Sequence, residues 1–256
     1  MQAADYEYLY ALEERFWWFA GMREVTSALL NAACAPMTTR DVLDVGCGTG
    51  GNLTWLKPYA ESGRIVGIDL IPDALKFCRE RGHRMLAQAS ATDLPFGDSM
   101  FDLVTSFDVL VQLPGETADE QAIGEMYRVL RPGGIAFVRV AAYEWMRSGH
   151  DAALGTERRY RLGGLREKME GAGFHTLRAT YANSLLLPLA VFRRLILKRL
   201  GLADGGSDVK PLAPGLQWMN SLLKAALLSE ALWLKHPQAM LPAGLSAICL
   251  AQKPRR

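Results

Sequence analysis

Cysteine is scarce in this chain of 256 residues: Cys34, Cys47, Cys78 and Cys249 lie far apart and form no CxxC pair. That excludes a disulfide framework and a structural zinc site, and it points to free thiols in a reducing cytoplasm. No metal site is expected. Charge of one sign is also lacking. Lys and Arg total 29 against 27 Asp and Glu, a formal net charge of +2. Without a basic stripe and interleaved aromatics, nucleic acid is not an expected partner. The basic residues are scattered apart from Arg193, Arg194, Lys198 and Arg199. Long apolar runs are missing too: no window reaches the roughly 20 uninterrupted residues of a spanning helix. The acidic, aromatic first residues have the wrong chemistry for a signal peptide. There is no internal repeat or low-complexity tract. What remains is an ordinary globular composition, half apolar and 22% charged, suited to one α/β domain in the cytoplasm or at most against a membrane surface.

The first stretch, 5–35, has helical spacing in Tyr6, Leu9, Leu12 and Phe16 and again in Val25, Leu29 and Leu30, with Phe16-Trp17-Trp18-Phe19 between, and Pro36 ends it. From 41 the pattern becomes strand–helix alternation. Strands are expected at 41–45, 64–68, 83–89, 101–106 and 135–140, the last after a Pro132-Gly133-Gly134 turn. Helices are expected at 50–60, 72–81 and 117–130, then 162–171, followed by a strand over 175–181. This rhythm predicts a parallel sheet with helices on both faces. Residues 184–240 differ: two apolar helical stretches flank a Gly/Asp/Pro-rich linker at 201–215, and Leu245 to Ala251 alternates as a final strand. The last two strands are expected to pair antiparallel, with the helices inserted between them.

Directly after the first strand comes Asp44-Val45-Gly46-Cys47-Gly48-Thr49-Gly50-Gly51. Glycines there let the backbone turn tightly and approach a ligand at the carboxyl end of a strand. The motif alone leaves open a dinucleotide or another nucleoside cofactor. Asp69 ends the second strand about 20 residues further on, where a carboxylate can accept hydrogen bonds from both ribose hydroxyls. Asp69 is equally able to cap the helix that starts at Pro72.

Taken in order, Asp44 to Gly50, Asp69, Leu94-Pro95-Phe96 and Arg128 to Gly134 resemble the motifs of class I S-adenosylmethionine-dependent methyltransferases, more narrowly the type 11 subgroup that includes ubiquinone/menaquinone-type and natural-product enzymes. The resemblance covers 41–140 and extends more loosely to 183. It implies a Rossmann-like α/β fold with a seven-stranded sheet, helices on both faces, an N-terminal helical cap and a helical insertion before the last strand. The single domain, 1–256, would divide into a cap or lid (1–40), the core (41–183), the insertion (184–240) and the last strand and tail (241–256). It implies S-adenosylmethionine as cofactor and S-adenosylhomocysteine as product. Asp44, Gly46, Cys47, Gly48 and Gly50 would face the methionine part. Asp69 would hold the ribose, with Leu70 beside the adenine, Ser90 and Ala91 at the ring's border, and Phe107 at the methyl end. A dehydrogenase would usually read GxGxxG, which favours this cofactor over a nicotinamide.

Methyl transfer from a sulfonium is a displacement, so alignment and exclusion of water do much of the work. A base is needed only when the nucleophile arrives protonated. Many relatives carry Glu-His shortly after the fourth strand, where this sequence has Val111-Gln112. Weight shifts to the loop after the fifth strand: Tyr143, Glu144, His150, Asp151, Arg158, Arg159 and Tyr160. His150 is the candidate base, with a pKa near neutrality, Asp151 its orienting partner and Tyr143 a further catalytic candidate. Arg158, Arg159 and Tyr160 would hold an anionic acceptor. The competing reading is a solvated loop whose charges pair with one another. Asp108 is a further acid nearby. Trp17, Trp18 and Phe19, with Arg23, would either close as a lid over the acceptor or pack the cap onto the sheet. The basic, apolar stretch 184–200 would pack on its own domain, with a membrane surface, a lipid-like acceptor or dimerisation as secondary roles.

The expected activity is O-methylation of a small-molecule, natural-product or modified-peptide acceptor by a monomer or homodimer. The alternatives are C- or N-methylation of an aromatic, indole-like acceptor, and a regulator that binds the cofactor without turnover.

Overall fold

The computed structural model describes residues 3–14, 16–34, 39–193 and 217–255. Four short parallel strands, β1 (Val42–Val45), β2 (Ile65–Asp69), β3 (Leu86–Gln88) and β4 (Phe101–Phe107), are joined by β5 (Leu130–Ala141), β6 (His175–Ala182) and β7 (Ser246–Gln252). The seven strands lie in the order β3-β2-β1-β4-β5-β7-β6, with β7 antiparallel to both its neighbours. All four residues of β1 are buried, as a central strand covered on both faces requires.

One face is covered by α5 (Ala118–Val129) and α7 (Leu162–Gly171), through Ile123, Met126, Leu165 and Met169. On the other lie α2 (Trp17–Ala33), α3 (Gly51–Ala60) and α9 (Gln217–Leu234). Met22, Val25, Leu29 and Leu30 of α2 and Leu227, Ala231 and Leu234 of α9 bury Leu103, Ile135, Phe137 and Ile248. The cap and the insertion meet at Gly21, where a Cβ would stand 2.5 Å from Leu227 Cδ1. The bare backbone of α2 is what lets α9 sit so close. The remaining helices are α1 (Ala3–Leu12), α4 (Pro72–Glu80), α6 (Gly149–Leu154) and α8 (Leu187–Val191).

The 5–35 stretch forms two helices: the chain breaks after Leu12 and restarts with Phe16 buried as the N-cap of α2, because Glu13 turns inward to the start of α3 (below). Two local expectations are corrected. Pro132-Gly133-Gly134 does not precede β5 but lies within it. Gly133 has φ 84°, the register against β4 shifts between Phe101 and Leu103, and Lys253 bonds both glycines (Gly133 N–H to Lys253 O, 2.8 Å; Lys253 N–H to Gly134 O, 2.9 Å). The loop after β5 contains a helix, α6, whose N-terminus carries a Ser148/Asp151 capping box. Linker 201–215 and Arg194, Lys198 and Arg199 lie outside the described residues.

Candidate functional site

The loop between β1 and α3 turns three times through left-handed backbone, at Gly46 (φ 75°), Gly48 (φ 53°) and Gly50 (φ 86°). Strand β2 holds it from beside. The N–H groups of Gly46 and Cys47 both donate to Ile68 O, at 2.9 and 2.8 Å, and that of Gly48 donates to Asp69 Oδ2 at 2.9 Å. Asp69 Oδ1 accepts from the Ile71 N–H at 2.9 Å, so this carboxylate organises the loop and the start of α4 together. Burial raises its pKa.

Asp44 is fully buried at the head of the loop. Its Oδ1 accepts from Thr105 Oγ1 of β4 at 2.7 Å, while Oδ2 has no partner. Desolvation lifts this carboxyl to about 7. An orphaned buried oxygen beside a loop that approaches a ligand is a ready acceptor for an ammonium group. Cys47 contributes backbone rather than thiolate chemistry. Its Sγ lies 3.8 Å from Cys78 Sγ, and that contact and burial both push its pKa up.

The other side of the loop is closed by a residue that sequence reasoning missed. Glu13, between α1 and α2, accepts from Thr49 Oγ1 at 2.5 Å and from the Gly51 N–H at 3.1 Å, capping the first turn of α3. Arg81 ties this corner together. It donates to Thr49 O and Tyr10 O, each at 2.9 Å, pairs with Glu13 at 3.4 Å and with Glu14, and stacks 4.2 Å from the Tyr10 ring. Arg23 belongs to the same corner: an ideal Cβ on Gly51 would meet Glu13 Oε2 at 2.4 Å and Arg23 Nη2 at 2.8 Å. Its buried Nε has no partner. Arg23 thus stands at the glycine loop and, with Trp17, Trp18 and Phe19, lines the cavity.

Glu13, Arg23, Asp69 and the Gly46 to Gly48 part of the loop line a single cavity of about 1490 Å³, while Asp44 and Gly50 lie behind its lining. Gly46, Cys47, Gly48, Asp69, Leu70, Ser90 and Ala91 line it, with Phe107, Trp17, Trp18, Phe19 and Arg23. Leu186, Leu189, Met219 and Leu223, from the insertion, line the same cavity. Ser90 turns its hydroxyl to Thr92, at 2.8 Å from Thr92 Oγ1. A second missed group, Arg139 on β5, also lines the cavity. Its Nε and Nη2 donate to Asp108 Oδ2 at 3.0 and 2.6 Å, and its guanidinium lies 4.9 Å from the Trp18 ring and 5.0 Å from that of Phe107. An arginine inside the apolar run Ile135 to Val140 was the signal that could have found it.

The post-β5 loop differs from expectation. Asp151 is buried, accepting from the Ser148 N–H at 2.7 Å and from Arg159 Nε at 2.7 Å, and Arg159 Nη1 donates to Ala142 O at 2.8 Å. Both line the cavity wall, but their polar groups satisfy one another. Arg158 pairs with Asp119 at 3.0 Å and donates to Leu113 O at 2.8 Å. Tyr160 Oη donates to Asp119 Oδ2 at 2.7 Å, and burial raises its pKa. Tyr143, at φ 60°, stacks on Tyr181 with ring centroids 5.2 Å apart, its hydroxyl pushed up to about 12 chiefly by burial. The structure does not bring Tyr143, Arg158 or Tyr160 to the cavity. The reading of these charges as mutual partners describes them better than the reading as acceptor ligands. His150 lies on α6; its side chain is outside the described residues. Asp151→Asn is expected to destabilise the fold by about 3 kcal/mol, because Arg159 is left buried without its counter-charge. Cofactor affinity should stay within about twofold, a shift of under ~0.5 kcal/mol. Thermal melting and calorimetry of the same preparation separate these effects.

A sequence family described as a methyltransferase domain matches residues 43–138. A protein of Mycolicibacterium smegmatis described as a probable S-adenosylmethionine-dependent methyltransferase is 30% identical over 202 residues, covering 78% of this chain and 72% of that protein. The fatty-acid O-methyltransferase of the same organism is 36% identical over 132 residues, covering 48% of this chain and 47% of its own. The matched part is thus less than half of that relative's length. Among solved structures, the methyltransferase in complex with the Haloferax volcanii Trm112 activator aligns over 98% of this chain and 96% of its own, with a TM-score of 0.61 at 20% identity. That likeness is one of fold.

Proposed function

The chain belongs to the class I S-adenosylmethionine-dependent methyltransferases of type 11, and from that premise we propose that it methylates an oxygen of a small-molecule, natural-product or modified-peptide acceptor. The observation that carries this reading is the continuity of one cavity from the glycine loop and Asp69 to the aromatic side chains and apolar helices beyond Phe107. The O-methyltransferase among its relatives supports oxygen as the target.

When bound, the cofactor supplies an electrophilic methyl group on a sulfonium, and everything else falls to the chain. Asp69 would hold the ribose hydroxyls while keeping Gly48 in place. The unpartnered Oδ2 of Asp44 would accept from the ligand ammonium, and Arg23, with its unpartnered Nε, would pair with the ligand carboxylate. Trp17, Trp18 and Phe19 of the 1–40 cap exclude water and hold the acceptor in line. The core and the 184–240 insertion act as one domain around that cavity. Among the described residues no helix is long and apolar enough to cross a membrane. The reading places the chain in the cytoplasm as a monomer or homodimer, with any membrane contact peripheral.

A pH dependence follows from Asp44. Its folded pKa, about 7, lies above the ordinary carboxylate value. The stability associated with holding that proton is therefore present below about pH 4 and is lost as pH rises toward 7. Binding runs the other way, because an ammonium ligand needs the ionised carboxylate. Affinity for S-adenosylhomocysteine is expected to rise about tenfold between about pH 6 and about pH 8, and to be flat over that range in Asp44→Asn. Calorimetric titration at each pH checks this, and equal slopes for the two proteins would rule out Asp44.

To test the function, the protein is incubated with methyl-labelled S-adenosylmethionine and extract of its native cells, and the label is located by mass spectrometry. Label on oxygen is the expected result. Label on an aromatic carbon or nitrogen moves the activity to the alternative class, and binding without transfer to any fraction favours a regulator.

A further inference from the structure

Arg139 occupies a place that structural packing does not explain. It sits on β5 directly opposite Phe107 of β4, one strand away from Thr105, which holds Asp44. Its side chain is only 8% exposed, and that remnant lies on the cavity wall. Its position is fixed from several directions. Asp108 takes both Nε and Nη2 on a single oxygen. The Asp108 N–H donates to Arg139 O at 2.8 Å, with Asp108 itself at φ 59°. Trp18 and Phe107 lie against the guanidinium. After these contacts Nη1 has no hydrogen-bond partner among the described residues. A rigid, largely desolvated guanidinium with one arm unspent is built to receive an oxyanion, and the fixed fork means that little ordering is lost when it does so.

Asp108 is engaged by Arg139 through Oδ2, and Val111-Gln112 supply no titratable group. A nucleophile that needs no base fits this wall. The cavity that Arg139 lines is also lined by Leu186, Leu189, Met219 and Leu223, apolar side chains that suit a hydrocarbon body rather than a hydrated one.

We propose that the acceptor is a carboxylate on an apolar body, its carboxylate received by Arg139 Nη1 and its body lying along the α8 and α9 leucines. The proposal rests on the methyl-transfer reading and narrows it. In the step, a lone pair of the carboxylate oxygen forms the C–O bond to the methyl carbon as the C–S bond breaks, its electron pair leaving with sulfur. A methyl ester and neutral S-adenosylhomocysteine result. No proton moves, so no base is required.

The test is calorimetric titration of the S-adenosylhomocysteine-loaded protein with decanoate and with decanamide, which share a chain and differ in the charged head. Wild type is expected to prefer decanoate by at least about tenfold. Arg139→Gln should remove that preference while leaving affinities for decanamide and S-adenosylhomocysteine within about twofold. Arg139→Lys keeps the charge without the fork and should fall between the two. Circular dichroism and a cooperative thermal melt certify that each variant is folded. If Arg139→Gln does not fold, the carboxylate-to-amide ratio in wild type and in Arg139→Lys decides alone. Equal binding of the two probes by wild type, no binding of decanoate, or undiminished decanoate binding by Arg139→Gln overturns the proposal. So does loss of S-adenosylhomocysteine affinity in a folded Arg139 variant, which would assign the arginine to the cofactor. Failure of wild type to bind S-adenosylhomocysteine at all would instead sink the methyl-transfer reading.

Discussion

Gly46→Ala is expected to weaken S-adenosylhomocysteine binding about 100-fold without unfolding the protein. Two separate physical costs act at this residue. A Cβ there would lie 2.2 Å from Val109 Cγ2, far inside contact distance, and the backbone stands at φ 75°. Left-handed backbone costs a non-glycine residue roughly 1–2 kcal/mol, and relieving the collision moves the loop or Val109. Both distortions fall where Gly46 and Cys47 donate to Ile68 O, so the loss appears in affinity first. A loss of about 3 kcal/mol corresponds to the stated factor. The double variant Gly46→Ala/Val109→Ala removes the collision but not the dihedral strain. It should recover about tenfold of the lost affinity. Calorimetric titration of the three proteins tests the division: wild-type affinity in Gly46→Ala would show that the loop does not carry the cofactor, and no recovery in the double variant would show that Val109 is not the obstacle.

The second large effect is expected at Glu13. Its carboxylate serves Thr49, the Gly51 N–H and Arg81 at once, in a corner from which water is excluded. Burial raises its pKa, and the surrounding donors offset only part of that rise. Glu13→Ala leaves a buried N–H, a hydroxyl and a guanidinium without their shared acceptor, a loss of about 3–5 kcal/mol. Because α1 contacts the sheet domain through this corner and α4, the loss should appear as release of the cap. Hydrogen exchange over α1 should accelerate at least about tenfold, and cofactor affinity should fall with it. Glu13→Gln keeps the shape and one acceptor oxygen and should retain most of the protection. Unchanged exchange in Glu13→Ala would mean that the cap is held by its aromatic contacts instead.

The strand–helix rhythm of 41–140 was readable because buried parallel strands are short apolar runs and each is punctuated by glycine, proline or a carboxylate. The antiparallel last pair followed from the same pattern. The break between α1 and α2 was not readable, because it depends on Glu13 reaching Thr49, 36 residues later. A glutamate at helical spacing looks solvated until its partner is known. Arg139 was overlooked for a similar reason: its meaning comes from Asp108 and Trp18, which only the fold brings to it. The charges after β5 invited the opposite error. His-Asp and Arg-Arg-Tyr have the chemistry of a site, yet Asp151 with Arg159 and Asp119 with Arg158 and Tyr160 neutralise one another within the loop and its neighbours. Sequence shows which groups are present, but not which of them are already occupied.

The central claim is that one cavity holds the cofactor on the glycine loop and the acceptor beyond Phe107. A crystal structure of the protein with S-adenosylhomocysteine tests it most directly. The expected result has the ribose hydroxyls on Asp69, the amino group on Asp44 and the sulfur facing the part of the cavity that Arg139 and Trp18 line. Density that leaves Asp44 and Asp69 without ligand contacts, or a sulfur directed away from Arg139, would contradict the account.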